Sequence, residues 1–171
     1  MPTDRKALTK LSYGVYIVSA EKDGRPNGQI ANTVFQVTSE PVMVAVCINE
    51  QNLTHEFIEA SGRFSISILS LETPIPFIGR FGFRSGRDID KFDGVEYKKG
   101  ETGIPIVLEH SLGYLEAEVV SRIDAVTHTI FIGKVSAGEV IREGEPLTYA
   151  AYHEIKKGKT PKAAPTYIKG K

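Results

Sequence analysis

Tryptophan is absent, cysteine occurs once, at Cys47, and neither sign of charge predominates: 21 Lys and Arg stand against 21 Asp and Glu in 171 residues. One cysteine excludes an intrachain disulfide and any all-cysteine metal site within a single chain. The charge balance removes a general electrostatic attraction to nucleic acid, so no nucleic-acid partner is expected. Long apolar runs are missing too. The longest, Val42 to Ile48, is far too short to span a bilayer, and the opening MPTDRKALTK has no apolar stretch of signal-peptide type. No membrane partner is expected, and the cytoplasm is the expected compartment. Catalytic signatures are equally scarce: there is no G-x-G-x-x-G after a strand, no G-x-x-x-x-G-K-[ST], no H-E-x-x-H and no G-x-S-x-G. His55, His110, His128 and His153 are scattered without helical ligand spacing, so no metal site is expected.

What is present is an ordinary globular composition, 41% hydrophobic and 25% charged, in a length suited to one domain with a real core. The most informative stretch runs from Gln29 to Ala60. Its first part, Gln29 to Thr38, alternates as a strand, with Gln29, Ala31, Thr33, Phe35 and Val37 on one side and Ile30, Asn32, Val34, Gln36 and Thr38 on the other. Amides and hydroxyls among β-branched residues suit a half-solvated strand or one that offers hydrogen bonds to a ligand. After the turn Ser39-Glu40-Pro41, Val42 to Ile48 is apolar on both faces and reads as a central strand. Asn52 or Thr54 then caps a helix beginning near His55. A helix start beside a polar strand makes an anion site, because its first amide N–H groups are unpaired.

The remaining chain alternates short strands with occasional helices. A helix is expected over Thr3 to Leu11, a strand over Tyr13 to Ala20, and a turn-rich connection over Glu21 to Gly28. Phe64 to Ser70 is a strand, and Thr73-Pro74 opens a helix. The tract Gly79 to Lys91 combines Arg80, Arg84, Arg87 and Lys91 with Gly82, Ser85 and Gly86. It reads either as a phosphate-contacting loop or as a solvated one in which Asp88 and Asp90 offset the cations. Ser111 to Ala125 and His128 to Glu143 form a hairpin, the second strand bent at Gly133, and Pro146 to Tyr149 is one more short strand. Residues 1–155 thus read as one domain. Residues 156–171, rich in lysine and without Asp or Glu, read as a basic tail or an arm packed on a partner. Strands that do not alternate with helices predict a mainly β fold, an antiparallel barrel with short flanking helices.

In order, ALTKLSYGVYIVSA, NGQIANTVFQVTSEPVMVAVCIN, NLTHEFIEASGRFSISILS, FGFRSGRDIDKF and THTIFIGKV resemble the flavin reductase-like family of FMN-binding split barrels, over nearly the whole chain. The likeness extends to ferric and flavin reductases, to flavoredoxins and to the reductase part of rubredoxin-fused proteins. It implies a six-stranded Greek-key barrel, a homodimer, and FMN near the subunit interface. By the same resemblance, Gln29, Ala31, Asn32, Thr33 and Val34 meet the isoalloxazine ring, and Cys47, Asn49, Asn52, Thr54 and His55 surround ribityl and phosphate. Arg84, Ser85, Gly86, Arg87 and Lys91 match a loop that serves phosphate or nicotinamide. His128 is the candidate catalytic contact, preceded here by Thr127, with Val126 where glycine is usual. The implied activity is transfer of electrons from NADH or NADPH through FMN to free flavin, ferric iron or a redox protein such as rubredoxin. Two alternatives are a flavoredoxin-like carrier with little nicotinamide activity and a small-molecule flavin oxidase.

Overall fold

The computed structural model describes residues 4–167; the Thr3 alternative for the first cap and residues 168–171 of the basic tail lie outside the described residues. Among the described residues, nine strands and three α-helices follow a short 3-10 helix, Arg5–Lys10, whose N-cap Asp4 accepts from the Lys6 backbone N–H at 2.9 Å. In chain order they are β1 (Tyr16–Lys22), β2 (Arg25–Ala31), β3 (Val34–Ser39), β4 (Val42–Asn49), α1 (Leu53–Ser61), β5 (Arg63–Leu69), α2 (Ile75–Gly82), β6 (Tyr97–Lys99), β7 (Pro105–Val107), β8 (Ser111–Ala125) and β9 (His128–Val140). A third helix, α3 (Tyr149–Glu154), closes the order.

Seven strands pair antiparallel in the order β2-β1-β5-β8-β9-β4-β3, and β6 and β7 form a separate ribbon. The mainly β architecture with flanking helices is the expected one, but the main sheet holds seven strands where six were expected. The difference arises at Asn32 and Thr33. The stretch that reads as one strand from Gln29 to Thr38 is cut there, and its two halves lie at opposite edges of the sheet. Held flat, seven strands would put those edges roughly 29 Å apart at about 4.8 Å per strand. A connection of two residues reaches at most about 11 Å. The sheet therefore curls until its edges meet, and the seam between β2 and β3 is where the barrel is split.

Local chemistry explains the turns. Asp23 and Gly24 take φ of 53° and 79°, the conformation a two-residue hairpin of the favoured hand requires, so Arg25 to Gly28 are strand and not loop. Pro26 is tolerated within β2 because that strand is an edge. Gly133 sits where a Cβ would come 2.7 Å from Phe64 and 2.8 Å from the Ala117 Cβ, and the opposed strand β8 changes register between Val119 and Ser121. Where a bend was expected at Gly133, the structure shows a register shift in the opposed strand β8. The expected strand at Pro146 to Tyr149 is reduced to two isolated bridges, Ser70 with Pro146 and Gly14 with Thr148. Thr148 instead caps α3, its hydroxyl accepting from the Ala151 N–H at 3.1 Å.

Two apolar clusters fill the interior. Helix α1 turns Leu53, Phe57 and Ile58 onto Val18, Val46, Phe64 and Phe131. Helix α2 turns Phe77, Ile78 and Phe81 onto Val15, Ile17, Leu69, Phe92 and Leu147, with Tyr152 of α3 joining them. A fully buried side chain of this size contributes roughly 1.5–3 kcal/mol, so both helices are held by their apolar stripes more than by propensity. No helix among the described residues is long and apolar enough to cross a membrane.

Candidate functional site

A cavity of about 640 Å³ opens at the barrel seam, between β2, the end of β4, the start of α1, the end of α2 and the loop Phe83 to Arg87. It brings together Gln29, Ala31, Asn32, Cys47, Asn49, Asn52, Thr54, Arg84, Ser85, Gly86, Arg87 and Lys91, which sequence reasoning had placed in three separate tracts. Thr33, Val34, His55 and the candidate catalytic residue His128 are not among its lining residues. Val34 packs on the core cluster, and Thr33 presents its carbonyl to the Cys47 N–H at 3.1 Å. His55 is buried on the far side of α1, where its Nε2 lies 2.8 Å from Thr129 Oγ1 and its ring 5.2 Å from that of Phe131. Since the Thr129 hydroxyl donates to Asp124 Oδ1 at 3.1 Å, His55 Nε2 is the donor to Thr129. For His55 the cause is helix phase, whereas the break between β2 and β3 at Asn32 and Thr33 ends the alternation along which Thr33 and Val34 were read.

Asn52 occupies the N-cap of α1 with extended backbone, yet no side chain caps the helix. Its Nδ2 donates to Gln29 Oε1 at 3.1 Å, tying α1 to β2. The first turn, Leu53 and Thr54, faces the cavity with the positive end of the helix dipole. Beneath it, Asn27 Nδ2 donates to Thr54 Oγ1 at 2.8 Å, both groups buried. The loop Arg84 to Arg87 lies directly on these residues. A Cβ at Gly86 would meet Asn27 Oδ1 at 2.0 Å and Leu53 Cδ2 at 3.0 Å, so only glycine lets the loop come this close. The Arg25 guanidinium donates to the Gly86 carbonyl, and Arg87 Nη1 donates to the Gln51 carbonyl at 3.3 Å. Glu56 sits between Lys22 and Arg87, and its hydrogen bond from Lys22 holds its carboxyl below the usual range.

Lys91 has a different position from the arginines. It is 5% exposed, and its Nζ donates to the carbonyls of Gly28 at 2.9 Å and Phe81 at 3.0 Å, clamping β2 to the end of α2. Burial pushes its pKa down to about 8. Burial likewise pushes the half-buried Cys47 thiol up, so it is not a thiolate nucleophile at neutral pH. His128 begins β9 directly opposite Asn49, after a turn in which the exposed Val126 takes a φ of 60°. Its Nε2 lies 3.3 Å from the Ala163 carbonyl and its Nδ1 2.9 Å from Thr127 Oγ1. A carbonyl only accepts, so Nε2 carries the proton in that bond and Nδ1 accepts from the threonine.

Sequence reasoning missed two parts of the wall. Asn27 lies two residues before Gln29 on the same strand face, and strand phase alone would have found it. The roof had no such signal. Residues 159–167 fold back over the opening, with Lys159, Thr160, Pro161, Lys162, Ala163 and Tyr167 among those that line it. The lining holds five Lys or Arg side chains and no carboxylate. Among the described residues no three His, Cys, Asp or Glu gather as a metal site. A cavity with amides along one wall, aromatic and apolar groups along another and cations at its rim suits a flat, partly polar ligand bearing anionic groups.

Comparison with known proteins gives a consistent answer. The flavin reductase like domain matches residues 8–156. A ferric-chelate reductase (NAD(P)H) of Archaeoglobus fulgidus is 54% identical over 168 residues, covering 98% of this chain and 99% of that one. A high molecular weight rubredoxin of Moorella thermoacetica is 55% identical, covering 98% of this chain and 73% of its own length. Among solved structures, the flavin reductase HpaC complexed with NADP+ superposes with a TM-score of 0.73 at 25% identity, over 85% of this chain and 90% of that one.

Proposed function

Since the chain belongs to the flavin reductase-like family, we propose that it binds FMN in the seam cavity and acts as an NAD(P)H-dependent flavin or ferric reductase. One observation carries the cofactor assignment: the uncapped start of α1 and the Arg84 to Arg87 loop converge on a cavity without a single carboxylate, a fit for a phosphate monoester. Gln29, Ala31, Asn32, Asn49 and Cys47 line the part left for the ring and ribityl chain. Acceptance of a hydride from NADH or NADPH and release of two electrons to free flavin, ferric iron or a redox protein are the chemistry that FMN supplies when bound; the chain supplies placement and hydrogen bonds. Accordingly no buried acid/base pair is required of the protein.

In this reading Asn52 and Thr54 hold the phosphate against α1, Arg84 and Arg87 neutralise it, and Lys91 keeps the loop's support rigid from behind. His128, the strand partner of the lining residue Asn49 but itself outside the lining, is read as the contact for nicotinamide or acceptor. A homodimer in the cytoplasm is the working form. The dimer reading draws support from the exposed apolar residues Phe35, Val37, Val42, Val120, Ile123 and Val126 on β3, β4 and the β8-β9 hairpin, which a second copy would cover. Residues 1–155 are read as the binding domain and 156–171 as a basic arm, of which Lys159 to Pro165 and Tyr167 line the mouth.

Steady-state oxidation of NADH and NADPH with added FMN and a ferric chelate is the direct test: turnover with at least one donor is expected, and none with either removes the reductase reading. The lysine-rich arm favours a second reading, an electron carrier docking on an acidic redox protein such as a rubredoxin. Slow reduction by both dinucleotides with rapid reduction by reduced rubredoxin would select it.

A further inference from the structure

The arm is fastened from below. Tyr152 Oη donates to the Lys159 carbonyl at 2.7 Å and receives the Lys159 N–H at 3.1 Å. Tyr149 Oη lies 2.5 Å from Thr160 Oγ1 and accepts from Thr166 Oγ1 at 2.9 Å. Further along, Ala163 is bonded to His128 and Thr166 to Asn32 Nδ2 at 2.8 Å. The backbone on both sides of Lys162 is therefore fixed, while the side chains of Lys159 and Lys162 are exposed at the cavity mouth. Neither faces a carboxylate of the lining, because the lining has none.

Resting on the reading above, we propose that Lys159 and Lys162 form a second anion subsite, for the phosphates of the nicotinamide dinucleotide. A single phosphate monoester is already served by the start of α1 with Arg84 and Arg87, so two further cations held at the rim by a hydrogen-bonded strap answer to another anion. Hydride transfer settles which one. The nicotinamide must lie within about 3–3.5 Å of the atom that accepts the hydride, so that end of the dinucleotide enters the cavity over the cofactor ring. Its diphosphate then runs outward through the mouth, beneath the arm. A ferric chelate exchanges electrons without stacking inside and has no need of a site built there. Ammonium groups on flexible stems also suit two dinucleotides that share a diphosphate and differ by the added 2′-phosphate of NADPH.

The test is equilibrium binding of NADP+ and NAD+ to the full chain by calorimetry, comparing wild type, K159Q/K162Q and K157Q; Lys157 is an exposed neighbour outside the lining. K159Q/K162Q is expected to weaken NADP+ about tenfold, the loss of two charge-assisted contacts, and to raise the KM of the dinucleotide donor in step. FMN affinity and kcat should stay within about twofold, and K157Q should match wild type. Unchanged NADP+ affinity overturns the proposal, as does an equal loss with K157Q, which would make the effect one of net charge. A parallel fall in FMN affinity overturns it by giving the lysines to the cofactor phosphate. Slower reoxidation of the dithionite-reduced protein by ferric citrate, with NADP+ binding intact, overturns it in favour of the chelate. Lysine-dependent NADP+ binding without turnover would instead support the subsite and count against the reductase reading.

Discussion

Asn32, at the split of the barrel, donates from Nδ2 to Thr166 Oγ1 at 2.8 Å, joining two residues that lie 134 positions apart. Through it the polar gap between β2 and β3 is tied to the arm that roofs the cavity, so the position of the roof depends on the same residue that marks the seam.

Replacing Thr166 by Val removes that acceptor and the donor to Tyr149 while keeping the side-chain volume. A hydrogen bond of this kind contributes on the order of 1 kcal/mol, enough to free the arm but not to unfold the barrel. Trypsin should cut faster after Lys159 and Lys162 in T166V, with the thermal midpoint nearly unchanged. Equal cleavage rates would mean the bond does not hold the arm.

Lys91 predicts a pH dependence of stability. Its folded pKa of about 8 lies below the ordinary value of 10.5. Below pH 8 both states carry the charge, and the folded one bears its burial cost. Between about 8 and 10.5 the unfolded chain binds more protons, so this group makes the fold more stable as pH rises, by roughly 3 kcal/mol over the whole window. Urea unfolding at pH 7.5 and pH 10 should show wild type losing stability less, or gaining, relative to K91M, and parallel pH profiles for the two proteins would contradict the assignment.

At Gly86 a methyl group has no room. G86A should lift the loop off Asn27 and α1, at a cost of about 1–3 kcal/mol, and weaken FMN about tenfold or more while the far-ultraviolet circular dichroism stays that of the wild type. Cofactor titration by fluorescence quenching reads this out; unaltered affinity would remove the loop from the phosphate site.

His128 is tied to the arm by Nε2 and to Thr127 by Nδ1, so its ring is held against the arm, outside the cavity lining. H128A should slow either flavin reduction by the dinucleotide or reoxidation by the acceptor in stopped flow by more than it weakens FMN. Both half-reactions slowed equally would take the residue out of the mechanism.

Much of this was legible along the chain. The strands read at Ser111 to Ala125 and from His128 onward appear as β8 and β9, and the turn-rich Glu21 to Gly28 contains the two-residue turn Asp23-Gly24. Asn52 does begin α1, although its side chain bonds Gln29 and leaves the cap open. Two residues drawn in by adjacency took another role. His55, one residue beyond Thr54, is rotated by about 100° around the helix and lands in the core. Lys91 reads as a loop cation and is instead a buried clamp, a choice made by the distant carbonyls of Gly28 and Phe81.

Alternation, turn chemistry and composition are properties of neighbouring residues, and from them alone followed a mainly β barrel with a polar strand, a helix start and a cationic loop among its parts. That the polar strand breaks at Asn32, that its halves stand at opposite edges, and that the lysine-rich end folds back to Tyr149 and Tyr152 were decided only in three dimensions. Each of these rests on contacts between residues far apart in the chain, where closing the loop costs entropy that no local pattern reports and only the assembled partners offset.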